Sequence, residues 1–282
     1  MPVRLSANCY GKSEVRLTKV IRKGPHHELM EFAIDIELTG DFAESYTKGD
    51  NRKIIATDSM KNTVYVLAKE REFKSPEEFA LVLAKHFPYT YEQVLVATVG
   101  IRQTAWSRIG VDGIPHDHAF VSAGLELHTA VATEIRGKNA TLSGGVTNLL
   151  VLKTTNSAFK GFVSDRYRTL KDADDRIFAT SVTATWDFEV SQADFLSVYD
   201  RIRKAMLEVF ATHTSLAVQE TMYEMGNAAL AAAPEISRIS LRLPNKHRLP
   251  INLVPFGLEN NNEIFVWTDE PYGEISATIE RE

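Results

Sequence analysis

The sequence predicts an α+β fold: two similar domains, each an antiparallel sheet with helices on one face. Three observations lead there. Strand-like stretches alternate apolar and polar residues, the mark of sheets with one buried face. The order hairpin, helices, strands occurs once in each half of the chain. The 282 residues are 44% hydrophobic and 24% charged, a globular composition sufficient for one large domain or two medium ones.

The first domain opens on "EVRLTKV", with Val15, Leu17 and Lys19 on one side and Arg16, Thr18 and Val20 on the other. "MEFAIDIEL" repeats the alternation, with Phe32, Ile34, Ile36 and Leu38 on one face. Gly24-Pro25 lies between them, so the pair reads as a hairpin. A helix is predicted from about Asp58 to Lys69. The next begins at Ser75 as cap, with Pro76 in the first helical position and Glu78 completing a capping box. Phe79, Val82, Leu83, His86 and Phe87 line its apolar face. "EQVLVATVGIRQTAW" and "HAFVSAGLELHTAVATEI" read as two more strands.

The second half follows the same plan. "ATLSGGVTNLLVLKTTNSAFKGF" runs from strand into a polar seam, and "IFATSVTATWDFEV" is a strand. Phe195, Val198, Tyr199, Ile202, Met206, Val209 and Phe210 mark a long amphipathic helix. Ser215 is placed to cap the following helix, which Pro234 closes. "EISRISLRLP" alternates again, and short strands run to the end. The two domains are placed at 1–136 and 137–282, meeting near Arg136 to Asn139. Half-barrels of this kind associate into rings, which removes exposed sheet edges.

The bulk numbers exclude several function classes. A net charge of −5 argues against nucleic acid as a partner, and an anion must be held by locally placed Arg, Lys or amide donors. Cys9 is the only cysteine, so no internal disulfide forms and a reducing compartment fits. No apolar run spans a membrane, and the first residues lack the apolar stretch of a signal peptide. The last residues, "TIERE", are not a peroxisomal Ser-Lys-Leu address.

Individual motifs read blandly one at a time. Gly11-Lys12-Ser13 resembles the end of a phosphate-binding loop, but Ser6 stands where the first Gly is required and a strand follows instead of a helix. His116, Asp117 and His118 put two imidazoles on one strand face without a clear third ligand, so no metal is expected. Asp172, Asp174 and Asp175 read as a polar turn. Arg176 follows them at a strand mouth, where its guanidinium fork suits a planar acceptor pair. The seam "IIATDSM" sets Thr57 and Asp58 between an apolar run and a helix, where capping is the default role. Gln219 opens a helix. Asn245 and His247 read by default as a hairpin loop between two strands, bracketed by Pro244 and Pro250; the alternative is a His that serves as a proton shuttle. Taken together, Lys12, Thr57 and His247 offer a proton relay, Arg176 and Gln219 planar hydrogen-bonders, and Phe159 a ring for stacking.

"NCYGKSEVRL", "ATDSMKNTVY", "NLLVLKTTNSAF", "TLKDADDRI", "VQETMYEM" and "LPNKH" resemble the urate oxidase (uricase) family, in family order and nearly end to end. The resemblance implies tandem tunnelling-fold domains, a homotetrameric barrel with active sites between subunits, and oxidation of urate by dioxygen and water without metal or organic cofactor. It implies catalytic roles for Lys12, Thr57 and His247. It implies substrate contacts from Thr57, Asp58, Phe159, Leu170, Arg176, Val218, Gln219 and Asn245. The alternatives are a related tunnelling-fold enzyme acting on pterins or other purines, and a purine-binding protein without activity. Zinc-dependent members need Cys and His ligands, which a single cysteine disfavours; a degenerate binder has no need of both Lys12 and His247.

Overall fold

The structure, a computed structural model, describes residues 3–189 and 192–282. The chain divides into two compact units, one of residues 1–145 with 187–197, the other of 146–186 with 198–282. In the first unit, β1 (Tyr10–Lys23), β2 (His26–Gly40), β3 (Val94–Val111) and β4 (Ile114–Ile135) stand side by side in that order, each antiparallel to the next. Between β2 and β3 come α1 (Ala43–Lys48), α2 (Thr57–Glu70) and α3 (Pro76–Thr90). The alternation read in β2 is the observed burial: Phe32, Ile34, Ile36 and Leu38 are core, and Ala33, Asp35 and Glu37 are not. Onto that face pack Met60 and Val64 of α2 and Phe79, Leu83 and Phe87 of α3. Ser75 caps α3 as expected, its Oγ accepting the Glu78 N–H at 3.2 Å.

The second unit sets β5 (Thr141–Lys153), β6 (Phe178–Phe188), β7 (Ile236–Pro244) and β10 (Glu274–Glu280) side by side. Helices α4 (Phe195–Thr212) and α5 (Val218–Ala232) fall between β6 and β7. Val198, Ile202, Met206 and Phe210 of α4 are buried, with Tyr199 against Trp186 and Phe210 against Phe178. A short pair, β8 (His247–Pro250) and β9 (Phe265–Thr268), is inserted before β10. The strand expected over "IFATSVTATWDFEV" is β6, and its last expected residue, Val190, lies outside the described residues.

Each unit also uses a half-buried lysine to hold a helix end. Lys19 Nζ donates to the carbonyls of Ala68 and Arg71 beneath α2, its ammonium 3.9 Å from the Phe73 ring centre. Lys153 Nζ donates to the His213 carbonyl just beyond α4, beside Phe178 and Phe210. A cation at a helix C-terminus satisfies orphan carbonyls and opposes the helix dipole.

Two expectations need correction. The plan shared by the two halves does not extend to their polar seams: the one at Thr57 joins α1 to α2, and the one at Asn156 joins β5 to β6. Ser215 does not cap α5. Ala217 occupies the cap position without a side-chain bond, and Ser215 Oγ instead receives the Thr221 hydroxyl at 2.7 Å.

Candidate active site

Five of the residues singled out in the sequence line one cavity of about 200 Å³, built wholly from the second unit: Phe159, Leu170, Arg176, Asn245 and His247. The segment 156–159 is its keystone. Ala158 N–H donates to the Ser215 carbonyl at 2.8 Å and Ser215 N–H to that of Asn156 at 2.9 Å, which fixes the leader of α5. On the other side Phe159 and Ala173 exchange backbone bonds of 2.8 and 3.0 Å, and Arg176 N–H donates to the Ser157 carbonyl at 2.8 Å. Residues nearly twenty apart in sequence are thereby held as one braid. The 245–247 segment joins it through β6, with Lys246 N–H donating to the Ala179 carbonyl at 2.9 Å.

Asp175 secures the braid. Its carboxylate accepts the Thr155 hydroxyl at 2.7 Å and the Ser157 N–H at 3.1 Å. The Thr155 hydroxyl first, then the N–H groups of Ser157, Arg176 and Asn156, hold its carboxyl below the usual range. Within this polar turn the three aspartates differ in their partners: Asp174 pairs with Lys160 and Asp172 with Arg168, whereas Asp175 positions the neighbours of both Phe159 and Arg176. The sequence held no signal for this, because the partners lie across a loop.

The chemistry of the lining is one-sided. Arg176 joins Lys171, Lys246 and Arg248, and no Asp or Glu lines the cavity. Lys246 is paired with Asp269 at 3.1 Å. Arg176 lies with its guanidinium carbon 4.9 Å from the Phe159 ring centre, and its Nε is buried without a partner. Burial lowers the pKa of that guanidinium. A buried donor left unmade costs about 1–3 kcal/mol, which an acceptor placed beside Nε would relieve. Phe159 is stacked on Phe162 at 4.7 Å with 14° between the rings. Asn245 N–H donates to the Gly273 carbonyl at 2.9 Å, and a Cβ on Gly273 would stand 3.2 Å from the Asn245 amide nitrogen, so a glycine there leaves that amide its room. Val218 is buried at the first turn of α5, and Gln219 beside it is exposed. With no side chain capping α5, its leading N–H groups are left for other acceptors.

Lys12, Thr57 and Asp58 belong to the first unit. Lys12 ends the regular start of β1; a bulge follows, with Glu14 at φ 58° and its N–H on Asp35 Oδ1 at 2.8 Å. Thr57 and Asp58 open α2 and are exposed. The expected capping role of Asp58 is not observed. Ala56 is the cap residue, and the Asp58 carboxylate binds Lys61 Nζ and, at 3.0 Å, Asn62 Nδ2. Lys61 chiefly, and Lys12 to a lesser degree, hold that carboxyl below its usual range. At the far hairpin, the His116 and His118 rings meet edge-on at 4.6 Å and His26 pairs with Asp117 at 3.0 Å. Among the described residues no three such side chains converge as a metal site.

The family profile described as Uricase matches residues 8–133 and 142–276. The chain is 45% identical to the uricase of Arthrobacter globiformis over 280 residues, covering 99% of this chain and 91% of that one. It is 39% identical to the uricase of Dictyostelium discoideum, covering 97% and 96%. The crystal structure of the Arthrobacter globiformis uricase superimposes with a TM-score of 0.94 at 44% identity, over 100% of this chain and 96% of that one.

Proposed function

The chain belongs to the uricase family, and from that premise we propose that it oxidises urate with dioxygen and water to 5-hydroxyisourate and hydrogen peroxide. The observation that carries the reading at the site is the buried, unpartnered Nε of Arg176, with its guanidinium near the Phe159 ring in a cavity that no carboxylate lines. Urate is flat, anionic and edged with N–H and C=O groups. Arg176 donates two parallel hydrogen bonds to one edge, Gln219 donates and accepts on another, and Val218 offers its backbone N–H. Phe159 and Leu170 cover the ring and exclude water.

Dioxygen reacts slowly with closed-shell molecules and needs an electron-rich partner. Withdrawing a second proton from urate makes one. Lys12 takes that proton through the Thr57 hydroxyl, with Asp58 beside it, and His247 passes a proton onward. Asn245 holds first dioxygen and then the attacking water above the ring. Two electrons leave urate for dioxygen, which departs as hydrogen peroxide, and water adds to the oxidised ring. The family implies that neither metal nor organic cofactor takes part.

We extend the reading to the assembly. Lys12 and Thr57 are supplied by a neighbouring copy, in a homotetramer whose tunnelling-fold domains, 1–136 and 137–282, close into a barrel. A cavity of about 200 Å³ is below the roughly 300 Å³ of enclosed ligand pockets, which suits half of a shared site. A cytoplasmic place in purine breakdown fits the single exposed thiol, Cys9. The test is loss of urate absorbance with peroxide formation and oxygen uptake, with and without chelator. Equal rates in both arms support the reading. Binding without turnover, or loss of turnover on chelation, overturns it.

A further inference from the structure

Tyr10 stands two residues before Lys12 on β1, and strand geometry sends the two side chains to the same side. Its phenol oxygen accepts the Ile55 N–H at 2.8 Å, a contact across 45 residues of chain. Ile55 precedes Thr57 by two. This bond joins the strand that carries Lys12 to the backbone that carries Thr57. The Tyr10 ring is held independently, edge-on to the buried Phe42 at 4.8 Å and 89°. The strand start is fixed by separate means. Tyr46 donates its hydroxyl to the Cys9 carbonyl at 2.7 Å, and Gly11 presses so close to β2 that a Cβ would fall 1.7 Å from the Ile36 carbonyl oxygen.

We propose that Tyr10 is a positioning residue that sets the distance between Lys12 and Thr57. The inference rests on the proton-relay reading of those two residues. A relay through a hydroxyl needs both heavy-atom gaps near hydrogen-bond length, and displacement by about 1 Å costs about a hundredfold in rate. Substrate binding draws on Arg176, Gln219 and Phe159, so loosening this link acts on the chemical step and spares affinity.

The experiment compares Tyr10→Phe, Lys12→Met, the double variant, and Tyr46→Phe as a control for general loosening of the strand start. Tyr10→Phe keeps the ring against Phe42 and removes only the oxygen. It is expected to lower kcat about tenfold, with KM within about twofold and circular dichroism unchanged. The double variant is expected to turn over no more slowly than Lys12→Met, because a misplaced relay and an absent one fail at the same step. Tyr46→Phe is expected to stay within about twofold of the parent. The proposal is overturned by parental kcat in Tyr10→Phe, by losses that multiply in the double variant, or by an equal loss in Tyr46→Phe. Parental kcat in Lys12→Met would instead refute the relay, whatever Tyr10→Phe shows.

Discussion

Replacing Arg176 with Ala should separate binding from folding, and the structure sets the size of both effects. The guanidinium has a buried Nε with no partner in the free protein. Supplying urate converts that cost into a bidentate, charge-assisted pair. Each hydrogen bond to a charged group contributes about 1.5–3 kcal/mol, and regained burial of the fork offsets part of the sum. A net loss of about 3 kcal/mol follows, or about 150-fold in affinity. Stability moves differently. Truncation removes an orphan donor worth about 1 kcal/mol or more of destabilisation. It also removes the contact over Phe159, worth about 0.5–1 kcal/mol. These nearly cancel, so the melting temperature should stay within about 4 °C of the parent.

The assay is equilibrium binding of urate without dioxygen, which reports affinity free of turnover, beside a thermal melt. Arg176→Lys keeps the charge and loses the fork, and should recover less than half of the lost binding energy. Anaerobic affinity within about threefold of the parent for Arg176→Ala would refute the fork as the substrate's grip. A melt lowered by more than about 10 °C would show that the side chain holds the fold instead.

Other substitutions probe the rest of the site. Lys12→Met or Thr57→Ala should lower kcat by at least about a hundredfold while KM moves by less than about threefold, because the relay serves chemistry; steady-state rates decide it. Asp175→Asn should weaken anaerobic urate binding several-fold and lower stability at neutral pH by about 1 kcal/mol, a small figure because solvent screens the carboxylate. The folded-state pKa of Asp175 is depressed, so its contribution is present above the unfolded carboxyl pKa and is lost as pH falls through the folded one. Melts of parent and variant should therefore converge only below about pH 4, and a constant gap down to pH 2 would refute the linkage. Mixed refolding of inactive Lys12→Met and Arg176→Ala chains should restore activity if neighbouring copies share each site, since one hybrid interface carries both native residues; no recovery in verified hybrids counts against sharing.

The alternating faces of β2 and the cap of α3 were legible in the sequence because each rests on local periodicity or on a side chain bonded within four residues. Around the cavity, residue types suggested what Phe159, Arg176 and His247 are able to do, and resemblance to a family supplied the reaction they would serve. No spacing rule brings Arg176, Asn245 and His247 together, since what makes them neighbours is long-range backbone pairing through Ser157 and Ala179. Asp175 and Tyr10 were missed for the same reason. Their partners are Thr155 and Ser157 across a turn, and Ile55 at 45 residues' distance, and no spacing rule reports such contacts. The capping expectations at Asp58 and Ser215 failed in an instructive way. Both residue types favour caps, yet an alanine holds the cap position in each helix, Ala56 and Ala217.

That pair of alanines bears on mechanism. A Ser or Asp cap would have satisfied one leading N–H of each helix at a gain of about 1 kcal/mol. The chain forgoes it at the starts of α2 and α5, where Thr57 and Gln219 stand. Ser75 caps α3, whereas α1 starts on Phe42 without a side-chain cap, as α2 and α5 do on their alanines. Uncapped N–H groups and the positive end of the helix dipole are suited to an anion or an electron-rich ring. Ala56 already holds the non-helical backbone of a cap residue, at φ −55° and ψ 135°, so Ala56→Ser is expected to supply the missing bond and stabilise the fold by about 1 kcal/mol, read in a thermal melt. A missing cap therefore does not by itself mark a site, since α1 lacks one without carrying any residue assigned to urate; what sets α2 and α5 apart is that Thr57 and Gln219 stand in their first turns.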